Sequence, residues 1–292
     1  IYPTLTWRNG WCWRIGVPKR YGVGASEFKK VFEQASAGRI AETSAFTWPS
    51  SDILPPEALT YARKSMDARD YDEQFGAHFI TATGGIYYAF SEDFNVRPCV
   101  YNPQLPLVIG SDFNVDPMAW VICQKVGDTL CVIDELYLRN TNTPQTLDVL
   151  YNKYSMHKAG FQFYGDAASR ARHTNASETD YKIIYNHEGF KRLGRTIHYP
   201  QSNPPIADRY AAVNALICNA EGIRRLFVDP KCKQLIRDFK NCTYKPGTRE
   251  PQQRPDEGHI TDAIGYVIIR LFPITLKNID NSPQMITITP RR

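Results

Sequence analysis

The chain has 292 residues, 42% of them hydrophobic and 22% charged, and a net charge of +5. That is the composition of an ordinary globular protein with one large domain or two smaller ones. It has no run of about 18 apolar residues that would span a membrane, and its mild basic excess permits a polyanion partner without demanding one.

From the N-terminus, Trp11–Val17 has the aromatic and β-branched composition of a short buried strand, and Pro18 to Gly22 breaks it. Ser26 is a candidate N-cap for a helix through Phe28, Val31 and Phe32. Pro55-Pro56-Glu57 opens a second helix to about Met66, and Asp70 to Phe79 extends a helical hairpin. Residues 86–106 show little periodicity and read as a linker.

From Leu105 the pattern changes. Leu105 to Asp112, Ala119 to Lys125 and Thr129 to Leu138 read as three strands, the last two joined by a turn at Val126-Gly127-Asp128. Thr143 to Lys158 has helical spacing, Gly160 ends it, and Phe161 to Gly165 is the next strand. Residues 167–180 are small and polar, a mobile-loop composition. Then come a helix from Tyr181, a strand at Thr196 to Tyr199, a periodic helix from Ile206 to Ala220, a strand at Arg225 to Val228 and a helix from Cys232 to Phe239. A Pro-rich loop over 243–258 precedes a last helix, His259 to Leu271, and the tail after Pro273 is polar. Three antiparallel strands followed by alternating helices and strands predict a mixed-sheet α/β domain over about 105–273.

The seven cysteines are scattered, with no Cys-x-x-Cys pair, which speaks against a zinc ribbon and for free thiols in a reducing compartment. No secretory leader opens the chain, which begins at Ile1 in sequence typical of a protein's interior; a fragment of something longer is expected.

Three acids stand at the boundaries of core elements. Asp112 closes the first strand, Asp166 follows Phe161–Gly165, and Asp262 stands three residues after His259 at the start of the last helix. Each has a plainer reading: a turn-former, a helix cap, an acid complementing the helix dipole. Taken together, carboxylates on separate core elements can converge, and converging hard oxygens hold Mg²⁺ or Mn²⁺. Two such ions cut phosphodiesters. Glu135 could approach the same point, although of Asp134 and Glu135 one is expected to face outward. Arg170 and Arg172, just after Asp166, are candidates to meet phosphates, as are Lys182, Lys191, Arg192 and Arg195 unless these only solvate a surface.

The order of these motifs resembles the large terminase subunit of tailed bacteriophages. Ser111-Asp112-Phe113-Asn114, Gly165-Asp166-Ala167 and His259-Ile260-Thr261-Asp262-Ala263 resemble the three acidic motifs of its nuclease domain. Ile206 to Ala215 and Phe227-Val228-Asp229-Pro230 resemble segments between them. Upstream, Asn9 to Lys19 resembles the late ATPase strand, with Val17 where the family has Thr, and Thr43 to Pro49 and Tyr71 to Phe79 resemble the joint between motor and nuclease.

The resemblance implies a ribonuclease H-like (RuvC/integrase-type) mixed sheet over 101–275, an ATPase remnant and linker over 1–100, and a polar tail over 276–292. It implies a metal-dependent endonuclease cutting double-stranded DNA during genome packaging in the host bacterial cytoplasm. Asp112 would be shared by two Mg²⁺ or Mn²⁺ ions, Asp166 and Asp262 would hold one each, and His259 would orient Asp262 or move a proton. Portal protein and the small terminase subunit are the implied partners. ATP is implied only for the full-length protein, since no Walker A or Walker B motif occurs in this chain. Two alternatives stand: another ribonuclease H-like DNA enzyme (a transposase or junction resolvase), or a non-catalytic module that docks DNA or portal.

Overall fold

The computed structural model describes residues 10–18, 25–80, 84–114, 116–167, 178–198, 200–245, 248, 250–252 and 254–273. Apolar runs with strand propensity between turn signals become β1 (Leu107–Asp112), β2 (Met118–Val126), β3 (Thr129–Leu138), β4 (Phe161–Gly165), β5 (Arg195–His198) and β6 (Leu226–Val228). Gly127, at φ 61°, supplies the left-handed residue that the β2–β3 turn needs. Among the described residues these strands form one sheet in the order β5-β4-β1-β2-β3-β6. β1, β2 and β3 run antiparallel; β4 is parallel to β1, β5 to β4 and β6 to β3. This is the expected ribonuclease H-like mixed sheet flanked by helices.

Strand side chains alternate between faces. Leu107 and Ile109 of β1 therefore enter one core with Trp120, Phe161 and Phe163. That core is closed by α5 (Thr143–Tyr154), α6 (Asp180–Asn186) and α7 (Glu188–Leu193) through Leu147, Leu150, Ile184 and Phe190. Val108 enters the opposite core, under α8 (Ile206–Ile217), α9 (Lys233–Asn241) and α10 (His259–Leu271). In α10, Ile260, Ala263, Ile264, Val267 and Ile268 repeat at i, i+3, i+4, i+7 and i+8, a single apolar stripe, and all are buried. Gly110 lets this helix ride directly on β1: a Cβ there would run into the Ala263 carbonyl oxygen and stand 2.7 Å from Val267 Cγ2.

The N-terminal portion holds α1 (Ala25–Ser36), α2 (Pro56–Ser65) and α3 (Ala68–Gln74); the last ends short of the predicted Phe79. Asp67 caps α3 by accepting from the amides of Arg69 and Asp70. Two predictions fail here. Trp11–Val17 is not a strand, and its side chains are exposed, Trp11 by 75% and Ile15 by 87%: the residue types fit a strand, but among the described residues no neighbour offers a ladder. The supposed linker is part of the core. Ile86 and Tyr87 are buried, α4 (Glu92–Asn95) forms within it, and the buried Asn95 amide donates to Ile217 O and Leu226 O at 3.1 and 2.9 Å. The polar stretch after Ala167 and the tail after Pro273 lie outside the described residues. No helix among the described residues is long and apolar enough to cross a membrane.

Candidate functional site

β1 and β4 end side by side. Ser111 pairs with Gly165 in the parallel register, which makes Asp112 and Asp166 the next residues on neighbouring strands. Asp112 shares the parity of Val108 and Gly110, and Asp166 that of Tyr164, so both belong to the face that α10 covers. α10 starts at that end of the sheet with His259 and carries Asp262 in its first turn. Gly165 allows a tight closure over the strand end: a Cβ there would stand 2.7 Å from the Phe113 ring and 2.8 Å from the Tyr181 hydroxyl. That hydroxyl donates to Asp166 O at 2.7 Å.

His259 contacts Asp112 rather than Asp262, contrary to the expected orienting of Asp262. Its Nδ1 lies 3.0 Å from Asp112 Oδ2, and Asn114 Nδ2 donates to the same oxygen at 2.8 Å. The other ring nitrogen, Nε2, faces the Pro255 carbonyl at 3.2 Å and so carries a proton. The hydrogen bond to Asp112 raises the His259 pKa above its ordinary value, against the opposing effect of burial.

Asp262 accepts from Arg209 Nη2 at 2.7 Å. About a third of its side-chain surface still reaches solvent, yet the carboxylate sits in a protein recess, and this desolvation lifts its pKa to about 6. Arg209 pulls that value down and the charge of Asp112 pushes it up. Burial raises the pKa of Tyr266, one turn further along α10, to about 12; Arg209 pulls it down, and the charges of Asp262, Asp166 and Asp112 push it up.

The donor set suits a hard divalent ion. Asp112 and Asp166 follow paired strands and Asp262 lies on the helix that covers them; burial is the main cause of the raised Asp262 pKa, and the charge of Asp112 adds to it. Among the described residues, however, no three His, Cys, Asp or Glu side chains are gathered closely enough to hold an ion as they stand. Asp112 is engaged by Asn114 and His259, and Asp262 by Arg209.

Other candidates lie elsewhere. Glu135 caps α9: its two oxygens accept from Gln234 N and Leu235 N at 2.8 and 2.9 Å. Asp134 is 4% exposed and accepts from Tyr154 OH at 2.8 Å, with Lys153 paired to it. Neither faces outward, because each side of the sheet is covered by a helix that supplies donors. Asp116 pairs with Arg139. Lys182 pairs with Glu178, Lys191 with Glu188, and Arg192 reaches Tyr151 OH; α6 and α7, which carry them, cover the face opposite α10, and Arg195 reaches Tyr185 O. Arg170 and Arg172 lie outside the described residues. All seven cysteines are free.

Sequence reasoning passed over Arg209 and Tyr266. Arg209 stands three residues after Ile206 and four before Val213, inside the apolar stripe of α8, and is 3% exposed. A charge on a buried stripe needs a buried partner, and that was the available signal.

No family model matches the chain, and no curated protein sequence does. Solved structures match it. The large terminase from a thermophilic bacteriophage, in complex with ATP-gamma-S, superposes with a TM-score of 0.60 at 13% identity, over 83% of this chain and 59% of that one. The chain has the large-terminase fold. Another crystal form of that phage terminase matches 84% of this chain with a TM-score of 0.59 at 13% identity, over 58% of its own length. The chain thus spans about three fifths of the large terminases whose fold it shares. The large-terminase nuclease domain from the bacteriophage SPP1, solved with bound Mn, matches at a TM-score of 0.41 and 18% identity, over 60% of this chain and 94% of that one, too loosely to argue from.

Proposed function

We propose that the chain is the cutting part of a phage DNA-packaging terminase, a metal-dependent endonuclease acting on double-stranded DNA. The observation that carries this reading is the pairing of β1 with β4, which makes Asp112 and Asp166 the next residues on neighbouring strands, beneath a helix with Asp262 in its first turn, on a large-terminase fold. Asp112 would be the shared ligand of two Mg²⁺ or Mn²⁺ ions, with Asp166 and Asp262 taking one each. Bound there, such ions lower the pKa of water toward neutrality and stabilise charge on the leaving oxygen.

The chain's own groups prepare that centre. The β1–β4 pairing fixes Asp112 and Asp166 beside each other. His259, its Nε2 proton held on Pro255 O, presents Nδ1 to Asp112 and steadies that carboxylate together with Asn114. Its role is positioning, since both ring nitrogens already have partners. The DNA backbone would meet basic residues that follow Asp166 in the sequence, Arg170 and Arg172 first, in a salt-sensitive and sequence-tolerant way. Lys182 and Arg192 belong to the opposite layer and are weaker candidates. Portal protein, the small terminase subunit, the host cytoplasm and an ATP-driven motor belong to the same proposal for the whole protein.

The test is nicking of supercoiled plasmid in Mn²⁺ or Mg²⁺ by the wild-type chain and by Asp112→Ala, Asp166→Ala and Asp262→Ala. Each variant should lose at least about a hundredfold in rate, roughly 2.7 kcal/mol of transition-state stabilisation. Equal rates in all four would end the nuclease reading. Two observations favour a second reading, a non-catalytic docking module: Arg209 already occupies Asp262, and no three ligands are gathered among the described residues. Intact DNA binding with no Mn²⁺ uptake would favour it.

A further inference from the structure

The Arg209–Asp262 pair is built into the fold. The Arg209 side chain is 4% exposed, and its guanidinium meets Asp262 at 2.7 Å. Its aliphatic stem lies against Gly265 of α10: a Cβ at that position would stand 2.6 Å from Arg209 Cγ and 2.7 Å from Cδ. The Tyr266 ring flanks the guanidinium, 4.6 Å from carbon to centroid. Arg209 also starts from a fixed place, the first turn of α8, its amide bonded to Pro205 O. A guanidinium keeps its charge at any working pH, and this one has no room to swing away. Its Nε–H is buried without a hydrogen-bond partner, so the residue is not placed there for an optimal network of hydrogen bonds.

We infer that Arg209 is a resident cation of the acid site: it occupies Oδ1 of Asp262 permanently, leaves Oδ2 for a divalent ion, and thereby weakens the ion held beside Asp262. This rests on the metal-site reading above and deepens it. The physical cause is direct. A fixed positive charge on one carboxylate oxygen repels a dication on the other, and in a recess that repulsion is screened far less than in water. Arg209 is accordingly a positioning residue, acting through Asp262. It orients the carboxylate and sets the metal concentration at which the second ligand place fills.

The experiment is an Mn²⁺ titration of the whole chain, followed by the electron paramagnetic resonance signal of free Mn²⁺. It compares wild type, Arg209→Gln, Arg209→Lys and Gly265→Ala. Arg209→Gln removes the charge and keeps a donor, and should bind its weakest Mn²⁺ at least about tenfold more tightly than wild type. Arg209→Lys keeps the charge and should stay within about threefold. Gly265→Ala pushes the Arg209 stem out of its groove and should tighten binding in the same direction; it decides the matter if circular dichroism shows Arg209→Gln unfolded. A purely structural role would loosen or abolish Mn²⁺ binding in these variants. Unchanged or weaker binding in the folded Arg209→Gln and Gly265→Ala proteins overturns the inference while leaving the nuclease reading intact. Mn²⁺ uptake by Arg209→Gln alone, with none by wild type, supports the inference and removes the nuclease reading. No uptake by any of the four overturns both.

Discussion

Asp262 is an acid in a recess that favours its protonated form. Lifted from the ordinary 3.8 to about 6, it holds its proton more tightly in the folded protein than in the unfolded chain. Between those two values the folded state keeps a proton that the unfolded chain has released, so metal-free stability falls as pH rises through that window. His259, raised by Asp112, adds stability that is present below its unfolded value near 6.5 and is lost as pH rises past its folded value. Melting temperatures of the metal-free protein from pH 4 to 8 should therefore fall more steeply for wild type than for Asp262→Asn, which carries no titrating carboxylate there. Parallel curves would show that the recess does not shift this group. The same proton competes with a metal, so Mn²⁺ affinity should drop as pH falls below about 6. The three acids stand out in the sequence because each lies at the boundary of a recognisable element. Arg209 does not, because its charge sits on a stripe read for its apolar neighbours.

At the scale of elements, α10 and β1 act as one piece. Gly110→Ala would force a methyl group against the Ala263 carbonyl and Val267, at a cost of about 1–3 kcal/mol. Because the relief available is to lift α10, Mn²⁺ binding should weaken as well, measurable in one titration beside a thermal melt. A melt displaced with no change in Mn²⁺ affinity would uncouple the seam from the site. Glu135 tests the opposite case. It serves α9 by accepting two N-terminal amides, so Glu135→Ala should cost about 1–2 kcal/mol in urea unfolding and leave Mn²⁺ affinity unchanged. A loss of affinity would return Glu135 to the list of ligands. Strands β1 to β4 and the last helix were legible from their apolar runs and the i, i+3, i+4 stripe. Trp11–Val17 misled because strand composition says nothing of whether a neighbouring strand exists. Ile86 and Tyr87 were missed because a buried irregular segment has no period to detect.

The whole molecule shows a contrast between a tightly filled sheet domain and an aromatic surface near its N-terminal end. Trp13 and Phe46 lie 6.3 Å apart, Phe46 stacks on Trp48 at 5.6 Å, and all three are more than half exposed. Such a patch contributes little to folding but favours self-association. Replacing Trp13, Phe46 and Trp48 with Ser should change stability by less than about 0.5 kcal/mol per site and reduce self-association in static light scattering. A large stability loss would mean that these rings are covered in solution.

The last helix also imposes a schedule. Its apolar stripe completes the core that α8 and α9 cover only in part, so that core stays open in a growing chain until residue 271 has been made. Asp112 is synthesised 150 residues before Asp262, and Asp166 96 residues before it. If the centre cuts DNA, a nascent or prematurely terminated chain carries two of the three acids but no assembled blade. The centre would come into being only once the last helix has been made, and DNA near the ribosome would be spared until then.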